Sequence, residues 1–135
     1  MPYLIADFLA GTTFAVTGAS RDRSKYGNKV LRCYQQHGLE VAGVNPRETE
    51  VEGAPCARDL SSLPWVPHGV SLVTPPVLAE GFVEEAARLG IRHLWFQPGA
   101  DSPAALERAR ELGLAVIAGG PCLLVELGFR DRDPS

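Results

Sequence analysis

The 135-residue chain has no apolar run approaching the roughly 20 residues that span a bilayer. It also lacks the pattern of a signal peptide: its first eight residues carry no basic start, and Asp7 breaks their apolar stretch. Together these absences predict a cytoplasmic protein with no membrane partner. Cysteine is scarce. Cys33, Cys56 and Cys122 are odd in number and far apart, which fits neither a disulfide framework nor a zinc site. His37, His68 and His93 are just as scattered, so no metal is expected. A net charge of −3 excludes a broad cationic face for nucleic acid.

Two well-known phosphate fingerprints are missing as well. The turn after the first apolar run, Gly18-Ala19-Ser20, offers one glycine where a dinucleotide site uses G-x-G-x-x-G. The second apolar run ends in Asn45-Pro46 rather than in an acidic ligand for ribose hydroxyls. Thr17-Gly18 resembles the start of a short-chain dehydrogenase, but Tyr26 and Lys29 do not have that family's Tyr-x-x-x-Lys spacing. The Walker pattern is absent too, because Gly18 and Gly27 lie too far apart and Lys29 is misplaced.

What is present is a regular alternation. Apolar runs at 12–17, 41–44, 70–73, 93–96 and 115–118 read as strands. Helical patterns at about 25–37, 78–89 and 103–112 separate them, ended by Gly38, Gly90 and Gly113. Ser24 is placed to cap the first of these and Ser102 the last, with Pro103 at its first position. A short helix precedes the first strand, where Tyr3, Leu4, Ile5, Phe8 and Leu9 recur at helical spacing. Its apolar face packs either internally or across a dimer. Residues 51–56 read as a short extended piece, and 121–127 as a short final helix. Strands that are short and apolar throughout have both faces covered. The expected fold is therefore α/β: a Rossmann-like, doubly wound parallel sheet of about five strands with helices on both faces. Residues 1–135 form one domain, with a polar tail at 129–135.

Parallel strands deliver their carboxyl ends to one rim, where such folds bind ligands. On that rim the chain carries Gly18-Ala19-Ser20, Asn45-Pro46, Thr74-Pro75-Pro76, Gln97-Pro98-Gly99 and Gly119-Gly120-Pro121-Cys122. Arg21, Arg23, Lys25 and Lys29 crowd behind the first turn, opposed only by Asp22. Concentrated cations beside a glycine turn and a helix start predict an anion site.

The combination Gly18-Ala19-Ser20, Lys25-Tyr26-Gly27, Val30, Val44-Asn45-Pro46, Val51-Glu52-Gly53, Ser62-Leu63, Leu72-Val73, Glu85-Ala86 and Trp95-Phe96-Gln97-Pro98-Gly99 resembles one family. It is that of the small stand-alone CoA-binding domain proteins, similar to the N-terminal domain of the succinyl-CoA synthetase α subunit. The resemblance spans about residues 9–126. It implies non-covalent binding of coenzyme A or an acyl-CoA. By matching positions, Gly18, Ala19 and Ser20 would meet the phosphates. Lys25 would offer charge and Tyr26 would pack beside it, with Arg23 of the basic run close by. Asn45 and Pro46 would border the nucleotide. Thr74 and Pro75 would line the crossing of the sheet, and Gln97 and Gly99 would face the pantetheine arm. With a 3′-phosphate and a pyrophosphate, CoA carries about four negative charges, which suits a basic turn at a helix start. Two segments depart from the family pattern: Thr74-Pro75-Pro76, and the weakly polar approach to Cys122.

Catalysis is not expected. In the related acyl-CoA synthetases the phosphorylated histidine and the ATP-grasp module lie outside the CoA domain, so an ATP-grasp partner chain is one implied context. Glu84 and Glu85 are helical neighbours and point apart, so they form no carboxylate dyad. Cys122 reads either as a small buried hydrophobe or as a thiol at the rim. The competing functional class is an NAD(P)-dependent oxidoreductase or another nucleotide-cofactor enzyme using the same rim.

Overall fold

The computed structural model describes residues 2–131. Seven strands form one sheet: β1 (Thr13–Thr17), β2 (Glu40–Val44), β3 (Glu50–Val51), β4 (Ala54–Ala57), β5 (Gly69–Leu72), β6 (His93–Phe96) and β7 (Ala115–Ile117). Their spatial order is β3-β4-β2-β1-β5-β6-β7. Every neighbouring pair is parallel except β3 with β4. The five strands read from the sequence all form, and two more join at one edge. The extra pair comes from the segment read as a single extended piece. Glu52 and Gly53 turn it back on itself with φ of 52° and 80°, the left-handed pair of a tight hairpin. Asn-Gly is the usual signal for that turn, and Glu-Gly hides it.

Four helices flank the sheet: α1 (Pro2–Leu9), α2 (Tyr26–Gln36), α3 (Ala79–Arg88) and α4 (Pro103–Glu111). On one face Phe8 of α1 and Val30, Leu31 and Tyr34 of α2 pack against Phe14, Val16, Val41, Trp95 and Ile117. On the other, Val83 and Ala86 of α3 and Ala105 and Ala109 of α4 pack against Ala15, Val44, Val70, Leu72, Leu94 and Phe96. Alternate residues of each strand thus serve opposite cores, which is why the strands carry few polar positions and bury two of them, Thr17 and Ser71. The face of α1 packs internally, with the Phe8 ring edge-on to Trp95 at 5.3 Å. Tyr34 stacks on Phe14 at 4.8 Å. Its buried hydroxyl is satisfied by Ser71 at 2.6 Å.

Ser102 caps α4 as expected, accepting from the Ala105 N–H at 3.1 Å with Pro103 at the first position. Ser24 does not cap α2. Its N–H and hydroxyl both donate to Asp22 Oδ1, at 3.0 and 2.7 Å. This local Asx turn outcompetes the capping geometry. The helix therefore starts one residue later, with Lys25 at the cap position and no side-chain acceptor there.

The chain after β7 forms a π-helical turn, Leu124–Gly128. Phe129–Asp131, read as the start of a polar tail, lie against α2. The Arg32 guanidinium sits 5.1 Å from the Phe129 ring centre, and Gln36 exchanges two hydrogen bonds with the Arg130 backbone at 2.7 and 3.0 Å. The rest of that tail, 132–135, falls outside the described residues.

At the amino ends of β5 and β6, His68 and His93 stack at 4.4 Å. Burial first, and then the charge of His68, push the His93 pKa below its ordinary value, with Arg92 adding and Asp7 opposing. The unfolded chain therefore takes up this proton more readily than the folded one. The resulting stability is complete above the unfolded value near 6.5 and is lost as pH falls below it toward the folded value. Thermal melts between pH 7.5 and 5.5 should fall with acidity, and His93→Gln should flatten that slope. An unchanged slope in the variant would remove His93 from the account.

Candidate functional site

The strand register sets Thr17 beside Val44 and Leu72, and Leu72 beside Phe96. The segments following these residues therefore share one rim. Gly18 opens the first of them with φ of 77°, which favours glycine. Its N–H donates to the Val44 carbonyl at 3.0 Å, carrying the ladder one step past the strand. Thr17 ties the turn to the next loop: its Oγ1 lies 3.0 Å from Thr74 Oγ1 and accepts from the Val73 N–H at 3.2 Å.

Helix α2 meets this turn without a gap. A Cβ on Gly27 would lie 2.0 Å from the Gly18 carbonyl oxygen. Gly27 is thus what lets the first turn of the helix press on the loop. Gly43 of β2 plays a similar part, since a Cβ there would lie 2.7 Å from the Ala19 methyl. Two side-chain amides pull the loop carbonyls back. Asn45 Nδ2 donates to Ala19 O at 2.7 Å, and Asn28 Nδ2 to Ser20 O at 2.8 Å. The Asn45 Oδ1 in turn accepts from the Arg47 N–H at 2.8 Å.

Asn28 is completely buried and joins three segments. It also donates to Glu52 Oε2 at 2.9 Å, and its Oδ1 accepts from Arg32 Nε at 2.6 Å. Arg32 is itself buried, and it donates to the Arg23 carbonyl at 3.1 Å. Neither residue stands out in the sequence. A polar residue in the first turn of a helix one step after its glycine is an ordinary solvent position until the hairpin covers it.

The basic run divides. Arg23 Nε faces Glu52 Oε2 at 3.4 Å, and Lys29 faces Asp131 at 3.4 Å. Lys25 stands exposed at the cap position of α2, beside the Gly18 turn. Lys29 is thus paired with the C-terminal segment.

At the other end of the rim, Gln97 is completely buried. Its Oε1 accepts from the Tyr26 hydroxyl at 3.2 Å and from the Leu123 N–H at 2.8 Å. Tyr26 also hydrogen-bonds Cys122 Sγ. Burial first, and then the bond to Cys122, push the Tyr26 phenol above its ordinary pKa, so it stays neutral. Trp95 Nε1 fixes the approach by donating to the Pro121 carbonyl at 2.9 Å. The structure thus gathers Gly18, Ala19, Ser20, Lys25, Tyr26 and Asn45 around the end of β1, with Thr74 tied to Thr17. Tyr26 reaches across to Gln97. Pro46, Pro75 and Gly99 lie exposed on the loops of the same rim. Among the described residues, no three His, Cys, Asp or Glu side chains come together as metal ligands, and no helix is long and apolar enough to cross a membrane.

A family model for the CoA binding domain matches residues 12–128. The chain belongs to the CoA binding domain family. Among its relatives is an ADP-forming acetate–CoA ligase of Archaeoglobus fulgidus, 32% identical over 74 residues; the match covers 55% of this chain and 11% of that ligase. A conserved hypothetical protein from Pyrococcus furiosus has a similar structure, with a TM-score of 0.79 at 36% identity, covering 84% of this chain and 97% of the other. A hypothetical protein from Pyrococcus horikoshii superposes with a TM-score of 0.86 at 29% identity, covering 93% and 87%. A Thermus thermophilus protein gives 0.84 at 29% identity, covering 93% and 94%. Proteins of about this length thus share the fold, while the chain spans only a small part of the ligase. The family ties this chain to a CoA-related role.

Proposed function

We propose that this CoA binding domain holds coenzyme A or an acyl-CoA without performing chemistry on it, with the phosphates on the Gly18-Ala19-Ser20 turn. The observation that carries this reading is the start of α2. That helix presents its first turn without a side-chain cap, directly against the turn through Gly27. Uncapped N–H groups and the helix dipole favour an anion. Loop carbonyls bonded backward to Asn45 and Asn28 do not oppose one in front. Lys25 adds a positive charge to a phosphate, and Arg23 stands near it. Asn45 and Pro46 border the nucleotide, Thr74 and Pro75 the crossing, and Gln97 and Gly99 the pantetheine arm.

Thermal shift with CoA, NAD, NADP and ATP tests the ligand. CoA is expected to stabilise the protein, and stabilisation by NAD but not by CoA would replace this reading with a dinucleotide enzyme. Lys25→Ala should weaken CoA binding about tenfold and flatten its salt dependence, because one exposed charge is removed from a multiply charged ligand. Calorimetry at two salt concentrations checks this, and an unchanged affinity would take Lys25 out of the site. The likeness to part of an ADP-forming ligase favours one further context, in which a separate ATP-grasp-type chain acts on the CoA held here. Co-purification with mass spectrometry of bound proteins tests that.

A further inference from the structure

Three side chains meet where the pantetheine arm of CoA would end, and their chemistry goes beyond holding it. Cys122 is the partly exposed cysteine, whereas Cys33 and Cys56 are buried. The Cys33 thiol, pushed up to about 12 mainly by burial, is inert at neutral pH. Cys122 Sγ instead shares a hydrogen bond with the Tyr26 hydroxyl, which bonds Gln97 Oε1 in turn.

The second, independent feature is Gln97 Nε2, which is buried and has no hydrogen-bond partner among the described residues. Flipping the amide would not cure this. Its oxygen already faces the Leu123 N–H, an obligatory donor, together with Tyr26. A native protein seldom leaves a buried donor unmet, and where one occurs a missing acceptor is a physical explanation. The amide is held against the residue that follows Cys122 and against the phenol that bonds Cys122. The unmet donor therefore belongs to the same cluster as the thiol. A pantetheine arm ends in an amide carbonyl, then N–CH2–CH2, then sulfur. A carbonyl meeting Gln97 would carry its sulfur into the neighbourhood of Cys122.

Resting on the reading that this rim binds CoA, we infer that Cys122 is a thiol–disulfide exchange site that captures CoA as a reversible mixed disulfide. The co-reactant is the symmetric disulfide of CoA. The Cys122 sulfur attacks one sulfur of that disulfide. The S–S bond of the reagent breaks, and a new S–S bond joins Cys122 to one CoA. The other CoA leaves as a thiolate and takes up the proton that Cys122 gave up. Cys122 is oxidised to the disulfide level and the departing CoA sulfur is reduced to thiol. As Cys122 gives up its proton, the single O–H of neutral Tyr26 turns from Gln97 Oε1, which keeps the Leu123 N–H, to the attacking thiolate and stabilises it.

The protein is incubated with CoA disulfide or with glutathione disulfide, and intact mass and peptide mapping follow the adduct. Rates are normalised to a free thiol. In parallel, thermal shift with reduced CoA under dithiothreitol reports non-covalent binding alone. The expected result is one CoA per chain on Cys122, reversed by dithiothreitol and formed at least tenfold faster than the glutathione adduct. Tyr26→Phe should slow it about tenfold, the worth of one hydrogen bond to a charged acceptor. Cys122→Ser, melting cooperatively, should gain no mass. No adduct, an adduct on Cys33 or Cys56, or equal normalised rates for the two disulfides would overturn the inference. If reduced CoA still stabilises the protein, the CoA reading survives that result; if it does not, both fall.

Discussion

Gly27→Ala is expected to destabilise the fold by about 3 kcal/mol and to abolish measurable CoA binding. The added methyl would sit 2.0 Å from the Gly18 carbonyl oxygen. Two pieces of backbone are in contact there, so no flexible side chain can swing aside. Either α2 moves away from the turn or Gly18 leaves its φ of 77°. Both moves separate the helix start from the loop that it supports. Stability would then recover in part through the displacement, whereas the anion site would not. Urea denaturation measures the first effect and calorimetry with CoA the second. A variant of native stability and native affinity would mean that the contact of α2 with the turn has no role in the site. Gly81 makes a useful control within a helix, because a Cβ there meets nothing within 4 Å. Gly81→Ala should be neutral or stabilising, as helix propensity predicts.

Asn28→Ala should cost about 3 kcal/mol, equivalent to roughly 10 °C in Tm. One truncation strands several partners at once. The Ser20 carbonyl loses its donor, Glu52 loses its neutral anchor, and Arg32 Nε loses the acceptor at 2.6 Å. Arg32 is the costly one, being a buried cation whose remaining bonds run to the Arg23 carbonyl at 3.1 Å and to Asp131 at 3.4 Å. A buried charge left short of partners carries much of its desolvation penalty uncompensated. CoA affinity should fall as well, because the Ser20 carbonyl is released beside the site. Asn28→Asp separates the two functions of this side chain. It keeps an acceptor for Arg32 but loses the donor to Ser20 and faces Glu52 with a like charge. Its stability loss should thus arise at the Glu52 and Ser20 side and shrink when Glu52→Gln is added. If Asn28→Ala melts within a degree or two of the native protein, the buried network is not what holds the turn.

Fold class was legible because its causes are local. Each apolar run is bounded by residues that stop strands, such as Asn45-Pro46 after β2 and Thr74-Pro75-Pro76 after β5. Each helix carries its own end signal, as with Ser102-Pro103 and Gly113 around α4. The β3–β4 hairpin was less legible because its turn, Glu52-Gly53, uses an unfavoured residue at φ 52° that hydrogen bonds with Asn28 and the pair with Arg23 hold in place. The cap of α2 was misread for a related reason. Ser24 is a good capping residue, but Asp22 two positions earlier claims it first.

By itself, then, the sequence determined an alternating α/β chain, a parallel sheet with a loop-built rim, and the small-residue turn on that rim. These follow from period, propensity and turn chemistry, which act over a few residues. Tertiary structure alone decided which polar groups stand behind the turn and which in front of it. Lys29 turned to Asp131, Arg23 to Glu52, and Lys25 stayed exposed at the helix start. Asn28 and Arg32 became buried supports, and Tyr26, Gln97 and Cys122 met across 96 residues of sequence. The physical reason is that a polar side chain's role depends on which partner satisfies it once water is removed. Those partners are brought together by packing between segments far apart in the chain.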